Sequence, residues 1–418
     1  MAVPRAVPAD FDVIIVGGGP VGAALGALLA RQSGTVPARL LLLDRDLPPP
    51  RAADDDAREP DLRVSALSRA SERILTAAGA WPAVIAAGVS PYERMHIWPS
   101  DAEPRSDAAL RFDAAALHEP NLGHIVENRV AQSCLLDAYR AAGGRSIATT
   151  VSRLEFLAQG VRITTPQGSW VTRLVVGADG ALSAVRRLAG LPARVEDYGQ
   201  LGIVARVRPE RAHESTAWQR FLGHGTLALL PLASGECSIV WSLPRALAEQ
   251  RLQASPEEFN ALLTDASQGV LGSLQLCSER AAPPLRRIGA PTYAIERCAL
   301  IGDAAHVVHP LAGQGVNLGL LDAAALADVI GAARAEGEDP GALRVLRRYE
   351  RWRKGENEAM SAAFDAFNAF LSTGQGKAAK IAGRGLGWVD RSALLKRLFI
   401  ERAMGVAGEL PAAAQRRA

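Results

Sequence analysis

Six residues near the start of the chain, Gly17-Gly18-Gly19-Pro20-Val21-Gly22, restrict its fold more than any other stretch. They follow the β-rich apolar run Phe11 to Val16 and open a segment of helical character that continues to about Arg31. A G-x-G-x-x-G pattern between a buried strand and a helix has a mechanical reason for each glycine. Gly17 allows the tight turn, Gly19 lets bare backbone approach a pyrophosphate, and Gly22 permits the helix to pack closely on the strand. The phosphates then rest on the free N–H groups and positive dipole end of the helix that begins around Pro20. Leu40 to Leu43 reads as a second buried strand ending at Asp44, where a carboxylate can bind a ribose hydroxyl. That acid favours an unphosphorylated ribose, FAD or NAD over NADP, without separating the first two. Arg45 and Arg63 are either phosphate- or adenine-side contacts or solvated surface arginines.

Size and composition set the bounds. At 418 residues the chain fits two intimately joined domains rather than one small core. A net charge of +3 is too small an excess to argue for nucleic acid. Cys134, Cys237, Cys277 and Cys298 lie far apart, with no C-x-x-C pair and no histidine spacing suited to zinc. Free thiols in a reducing cytosol and no bound metal are therefore expected. Val13 to Ala30 is uncharged and nearly long enough to span a bilayer, but its glycines and Pro20 break it into strand, turn and helix start. The N-terminus lacks the pattern of a secretory signal, so a cytoplasmic enzyme is expected.

Two further segments repeat the logic of the first. Gly177-Ala178-Asp179-Gly180-Ala181-Leu182-Ser183-Ala184-Val185-Arg186 follows the apolar strand Leu174–Val176. Ala299-Leu300-Ile301-Gly302-Asp303-Ala304-Ala305-His306 leads to Pro310-Leu311-Ala312-Gly313-Gln314-Gly315-Val316-Asn317-Leu318-Gly319. Asp303, at a strand end, can accept hydrogen bonds from a ribitol or ribose hydroxyl. Pro310 stiffens the approach to Gly313-Gln314-Gly315, which places bare backbone at the start of a helix, Asn317 to Ala333. The N–H groups and partial positive charge there suit the negative N1–C2=O end of a reduced flavin.

In order, these segments resemble the three signatures of class A flavoprotein monooxygenases, the group that includes p-hydroxybenzoate hydroxylase. The extended third segment resembles most closely the hydroxylases of ubiquinone biosynthesis. So do Arg63-Val64-Ser65-Ala66-Leu67, Ser215-Thr216-Ala217-Trp218-Gln219-Arg220-Phe221 and Ala228-Leu229-Leu230-Pro231-Leu232. The resemblance implies an α/β chain: a Rossmann-like FAD-binding domain of the p-hydroxybenzoate hydroxylase (GR2) type, an inserted β-sheet substrate domain and C-terminal helices. It implies that Asp303, beside Gly302, holds the ribitol of FAD and that Gly313, Gln314, Gly315, Val316 and Asn317 meet the isoalloxazine ring. The Asp179 motif is tied to both FAD and pyridine nucleotide in that family, and Arg129 resembles its flavin-phosphate arginine. A single G-x-G-x-x-G fits transient docking of NAD(P)H, with NADH and NADPH both open as donors.

Strand-rich blocks at Tyr92 to Leu117 and Leu201 to Leu243 interrupt the nucleotide-binding parts and predict a discontinuous layout. Residues 10–85, 121–190 and 290–340 would bind FAD, 86–120 and 191–289 would form the β-rich substrate domain, and 341–418 a C-terminal helical region. The expected reaction is hydroxylation of a polyprenylated phenol, with O2 activated as a C4a-hydroperoxyflavin. The alternatives are another FAD-dependent aromatic hydroxylase, an isoprenoid reductase, or a non-catalytic FAD-holding member of a biosynthetic complex. His309 is the candidate catalytic base for the phenolic proton, and a structural histidine is the other reading. Leu227, Leu229, Pro231, Ile239 and Trp241 either wall the substrate or form an ordinary sheet core. Gly376 to Ala407 interleaves Lys377, Lys380, Arg384 and Arg391 with Leu386, Trp388, Leu394 and Phe399. Such a tail either rests peripherally on an anionic inner membrane or packs across the flavin domain. The long helix Ala342 to Leu371, with Phe364, Phe367 and Phe370, suits a core or a subunit contact, in a homo-oligomer or a biosynthetic complex.

Overall fold

An apolar run without polar alternation must be buried on both faces, and Phe11–Val16 achieves this in the interior of an eight-stranded sheet. The computed structural model describes residues 8–36, 39–50, 61–308, 315–371 and 408–416. Phe11–Val16 pairs in parallel with Leu40–Asp44 on one side and Gly168–Gly177 on the other, Val13 standing in register with both Leu40 and Leu174. Arg145–Ala148 follows at one edge; Cys298–Leu300 and then Ala294–Ile295 follow at the other. An antiparallel hairpin, Arg153–Leu157 and Gly160–Thr165, branches from Gly168–Gly177.

The helices lie close because small residues let them. Pro20–Ala30 packs against both Asn128–Ala141 and Gly315–Ala335. A Cβ on Gly319 would stand 2.6 Å from Val21 Cγ2, nearer than atoms can approach. Gly315–Ala335 is long and apolar enough to cross a bilayer by length and composition, yet 78% of its most apolar window is buried inside the protein.

The second sheet has nine strands. In order across it run His306–Val307, Pro284–Gly289, Arg194–Pro209, Cys237–Pro244, Gly225–Pro231, Thr216–Leu222, Arg94–Trp98 and Leu110–Asp113, with Leu274–Leu276 paired to Arg194–Pro209. The strand Arg94–Trp98 joins parallel to Thr216–Leu222, so the early strand-rich block does enter a sheet separate from the first. A small third sheet brings together Val64–Ser68, Gly123–Glu127 and Ser90–Tyr92.

The sheet settles what the apolar alternation at Leu227, Leu229, Ile239 and Trp241 is for. All four side chains join one buried cluster with Phe259 and Leu263 of the helix Pro256–Ala266, and the Trp241 and Phe259 ring centroids lie 6.0 Å apart. That helix is fixed over them by a capping box in which Ser255 and Glu258 each satisfy the other's backbone N–H. These residues are sheet core. Pro231, at the end of the same strand, is buried as well.

Leu67 lies in the strand Val64–Ser68, held there by pairing with Gly123–Glu127. Ser68 then caps the helix Arg69–Ala77, accepting from Ser71 N at 3.2 Å. The long strand Arg194–Pro209 and the helix Arg245–Gln253 were not expected. The tail Gly376 to Ala407 and the side chains of Phe364, Phe367 and Phe370 lie outside the described residues.

Replacing Leu229 by Ala should cost about 2–5 kcal/mol in urea unfolding, the range for emptying a closed core. It should leave the affinity for an aromatic substrate unaltered. A variant of unchanged stability with weakened substrate binding would return this face to the substrate.

Candidate functional site

The first two glycine motifs are built around each other. Gly17 has φ +112°, and a Cβ on it would lie 2.2 Å from the Ala178 carbonyl oxygen. A Cβ on Gly22 would lie 2.0 Å from the Gly17 carbonyl oxygen. Both glycines are thus demanded by the protein's own packing. Gly19 is different: at φ −63°, no atom of the described residues beyond its own chain neighbours and helix backbone lies within 4 Å of where its Cβ would be. Packing among the described residues therefore does not require a glycine here. Gly19 also caps the helix Pro20–Ala30 without a side-chain hydrogen bond, leaving first-turn amides available to an anion. These features fit the pyrophosphate of a dinucleotide.

Gly17, Gly19, Pro20, Asp44, Arg45, Arg63, Arg129, Asp179, Asp303 and Val316 line one cavity of about 1220 Å³. That exceeds the ~300–1,000 Å³ typical of pockets for drug-sized ligands, as an extended dinucleotide requires. Asp44 closes the second parallel strand, with Oδ2 accepting from Gly18 N at 2.5 Å and Oδ1 from Asp46 N at 2.9 Å. Arg45 sits at the rim, exposed and paired with Asp46 at 2.7 Å. Arg129 opens the helix Asn128–Ala141 and keeps a largely exposed guanidinium 3.9 Å from Asp61. Asp303 stands on the 3-10 turn Gly302–Ala304, where Gly302 takes φ +58° against Val21. The Asp303 side chain is exposed to the cavity, with protein crowded behind it. That crowding withholds water from part of the carboxyl and pushes it above the ordinary value, against the opposing pull of His306 and Arg63.

Other sequence-predicted residues support the cavity from behind. Asp179 lines it, but its carboxylate caps the helix Ala184–Leu188, accepting from Ala184 N at 2.6 Å, Val185 N at 3.0 Å and Ser183 Oγ at 2.5 Å. Asn317 is buried: its Nδ2 donates to the Ala66 carbonyl at 2.8 Å, and its Oδ1 accepts from Ser68 N at 2.9 Å and Ser71 Oγ at 2.7 Å. It fastens the start of Gly315–Ala335 to the Val64–Ser68 strand. Gly315 is the first residue of that helix, and Gly22 and Gly302 lie beneath the cavity as packing contacts. His309, Pro310, Gly313 and Gln314 lie outside the described residues.

Gln132 escaped the sequence reading, and Arg186 closes the second motif without a role read for it there. Gln132 lines the cavity and donates from Nε2 to the Gly18 carbonyl at 3.0 Å. Its spacing of three from Arg129 on one helix face was the available signal. Arg186 is buried, donating from Nη1 to the Ala304 carbonyl at 2.7 Å and from Nη2 to the Ala181 carbonyl at 2.8 Å. It ties the second motif to the third.

Two glycine variants separate these roles. Gly19→Ala apoprotein should stay within about 1 kcal/mol of wild-type stability, since its backbone suits any residue. Its affinity for added FAD should fall sharply in a fluorescence titration. Gly22→Ala should lose the folded apoprotein itself. Equal FAD affinity in Gly19→Ala would remove the pyrophosphate assignment.

The sequence matches the FAD binding domain family over residues 10–363. It is 35% identical over 398 residues to 3-demethoxyubiquinol 3-hydroxylase of Escherichia coli K12, covering 94% of this chain and 98% of that one. It is 36% identical over 401 residues to ubiquinone hydroxylase UbiL of Rhodospirillum rubrum, covering 94% and 89%. Among solved structures, p-nitrophenol 4-monooxygenase PnpA of Pseudomonas putida DLL-E4 superposes with a TM-score of 0.77 at 18% identity, over 97% of this chain and all of that one. With the cavity, its bare Gly19 and the acid at each strand end, these likenesses place the chain in the family of FAD-dependent monooxygenases to which the ubiquinone hydroxylases belong.

Proposed function

We propose that this protein hydroxylates the ring of a prenylated phenol on the way to ubiquinone, using FAD, O2 and NAD(P)H. The observation that carries the reading is one cavity lined together by Gly19, Asp44 and Asp303, a phosphate-approaching backbone with two acids at separate strand ends. In this reading Gly17 and Gly19 receive the pyrophosphate, Asp44 the adenosine ribose, Arg129 the flavin-side phosphate and Asp303 the ribitol. FAD, when bound, supplies the activation of O2, from which the transferred oxygen atom comes. The protein's part is to hold that coenzyme, orient the ring and keep water out. The eight-stranded sheet is assigned to the cofactor and the nine-stranded sheet to the substrate. Their junction is short: the chain runs from Asp303 to His306–Val307 at the edge of the second sheet, where His306 registers with Gly289.

The direct test is NAD(P)H-dependent oxygen uptake by the FAD-loaded protein with and without a prenylphenol analogue. Stimulated uptake with a hydroxylated product is expected. Protein that holds FAD yet consumes no oxygen with any such phenol would overturn the proposal in favour of an alkene reductase or a non-catalytic FAD holder.

Asp303 gives a second test with a defined sign. Its carboxyl is raised in the folded state, so its ionisation weighs against folding. That penalty is absent below the unfolded-state value and grows as pH rises through the folded one. Asp303→Asn apoprotein should therefore melt slightly above wild type at neutral pH, the gain kept small by solvent reaching the exposed side chain and closing as pH drops through the carboxylate range. The same variant should bind FAD about tenfold more weakly, the loss of one charge-assisted hydrogen bond. Unaltered FAD affinity would remove Asp303 from the site.

A further inference from the structure

Behind the cavity lies a carboxylate that the proposed binding scheme does not use. Asp322 is fully buried, two helical turns into Gly315–Ala335. Its Oδ2 accepts from Gly302 N at 3.1 Å and lies 2.5 Å from His306 Nε2. Its Oδ1 accepts from Arg353 Nε at 2.9 Å and Asn357 Nδ2 at 3.0 Å, both from the helix Leu343–Leu371. Arg353 in turn donates from Nη2 to Asn357 Oδ1 at 2.9 Å. Burial alone would raise this carboxyl, but His306, Arg353 and Asn357 hold it down at about 2, so it stays ionised.

A buried ion pair is a poor device for stability, since well-packed apolar residues commonly serve as well. Its position suggests another use. The turn Gly302–Ala304 is gripped at both ends by charged side chains, Asp322 at the first amide and Arg186 at the last carbonyl. The residue between those grips is Asp303, whose side chain faces the cavity. We propose that Asp322 is a positioning residue for flavin retention, clamping the Gly302–Ala304 turn so that Asp303 meets the ribitol and tying that turn to the helix Leu343–Leu371. FAD affinity then depends on a helix that lines no part of the described cavity. This rests on Asp303 holding the coenzyme.

The test is a cycle of variants of the full-length protein, read as FAD dissociation constants of the apoproteins well below their melting temperatures. Asp322→Asn with Arg353→Gln removes both charges together and leaves neither unpaired. This pair should weaken FAD about tenfold, as the loss of a charge-assisted hydrogen bond to the turn implies. Adding Asp303→Asn to it should cost little more, because the clamp acts through Asp303. A merely structural role predicts additive losses, and additivity, or an affinity within about twofold of wild type for the charge-neutral pair, overturns the proposal. Should that pair fail to fold, Asn357→Ala in an otherwise intact network takes its place, with a smaller weakening expected and the same non-additivity with Asp303→Asn; unchanged or additive affinity overturns it. If Asp303→Asn alone leaves FAD binding intact, the site assignment fails first, and the clamp with it.

Discussion

Parallel strands deliver their loops to one edge, and in this chain everything that binds depends on how closely three such loops approach. Val16 is in register with both Leu43 and Gly177, and Gly177 with Leu300, so the three motifs and Asp44 leave the sheet side by side. The contact that sets their spacing is main chain on main chain: Gly17 against the Ala178 carbonyl, Gly22 against the Gly17 carbonyl. No side chain fits in either place. Ligands of open α/β sheets bind outside these strand ends, and the cavity lies there because the backbones meet this tightly.

Closeness alone does not aim a side chain. The acids at the strand ends are directed by hydrogen bonds from loops beside them: Asp44 by the Gly18 and Asp46 amides, Asp303 through a turn held at Gly302 and Ala304. Asp179 shows the opposite commitment. It occupies an equivalent strand end, yet its oxygens are taken by the amides and hydroxyl of the helix they cap. Three carboxylates in similar positions therefore differ in what they can offer a ligand.

Much of this was legible in the sequence where one residue type has one physical reason to be present. The strand–glycine–helix unit, the second strand ending at Asp44 and the helices beginning near Asn317 and Ala342 follow from periodicity and from what glycine permits; the last two are found as Gly315–Ala335 and Leu343–Leu371. Less legible were features that depend on a distant partner. Val64–Ser68 is a strand because Gly123–Glu127 lies beside it. The strand Arg194–Pro209 begins with four exposed residues and carries no alternation there to announce it. Alternation at Leu227, Leu229, Ile239 and Trp241 established a buried face but could not say what covers it.

The limit is sharpest on Gly315–Ala335. Its composition is that of a membrane span, and hydropathy cannot distinguish lipid from protein as the apolar surroundings. Asp322 makes the distinction physical. An ionised carboxylate is tolerated inside such a helix only where donors replace water, and four of them converge here from Gly302, His306, Arg353 and Asn357. Those donors come from a turn, a two-residue strand and a second helix, separated along the chain and assembled only by the fold. The acid that looks like an interruption in an apolar run is therefore the point where the Gly302–Ala304 turn and the long helix Leu343–Leu371 are joined.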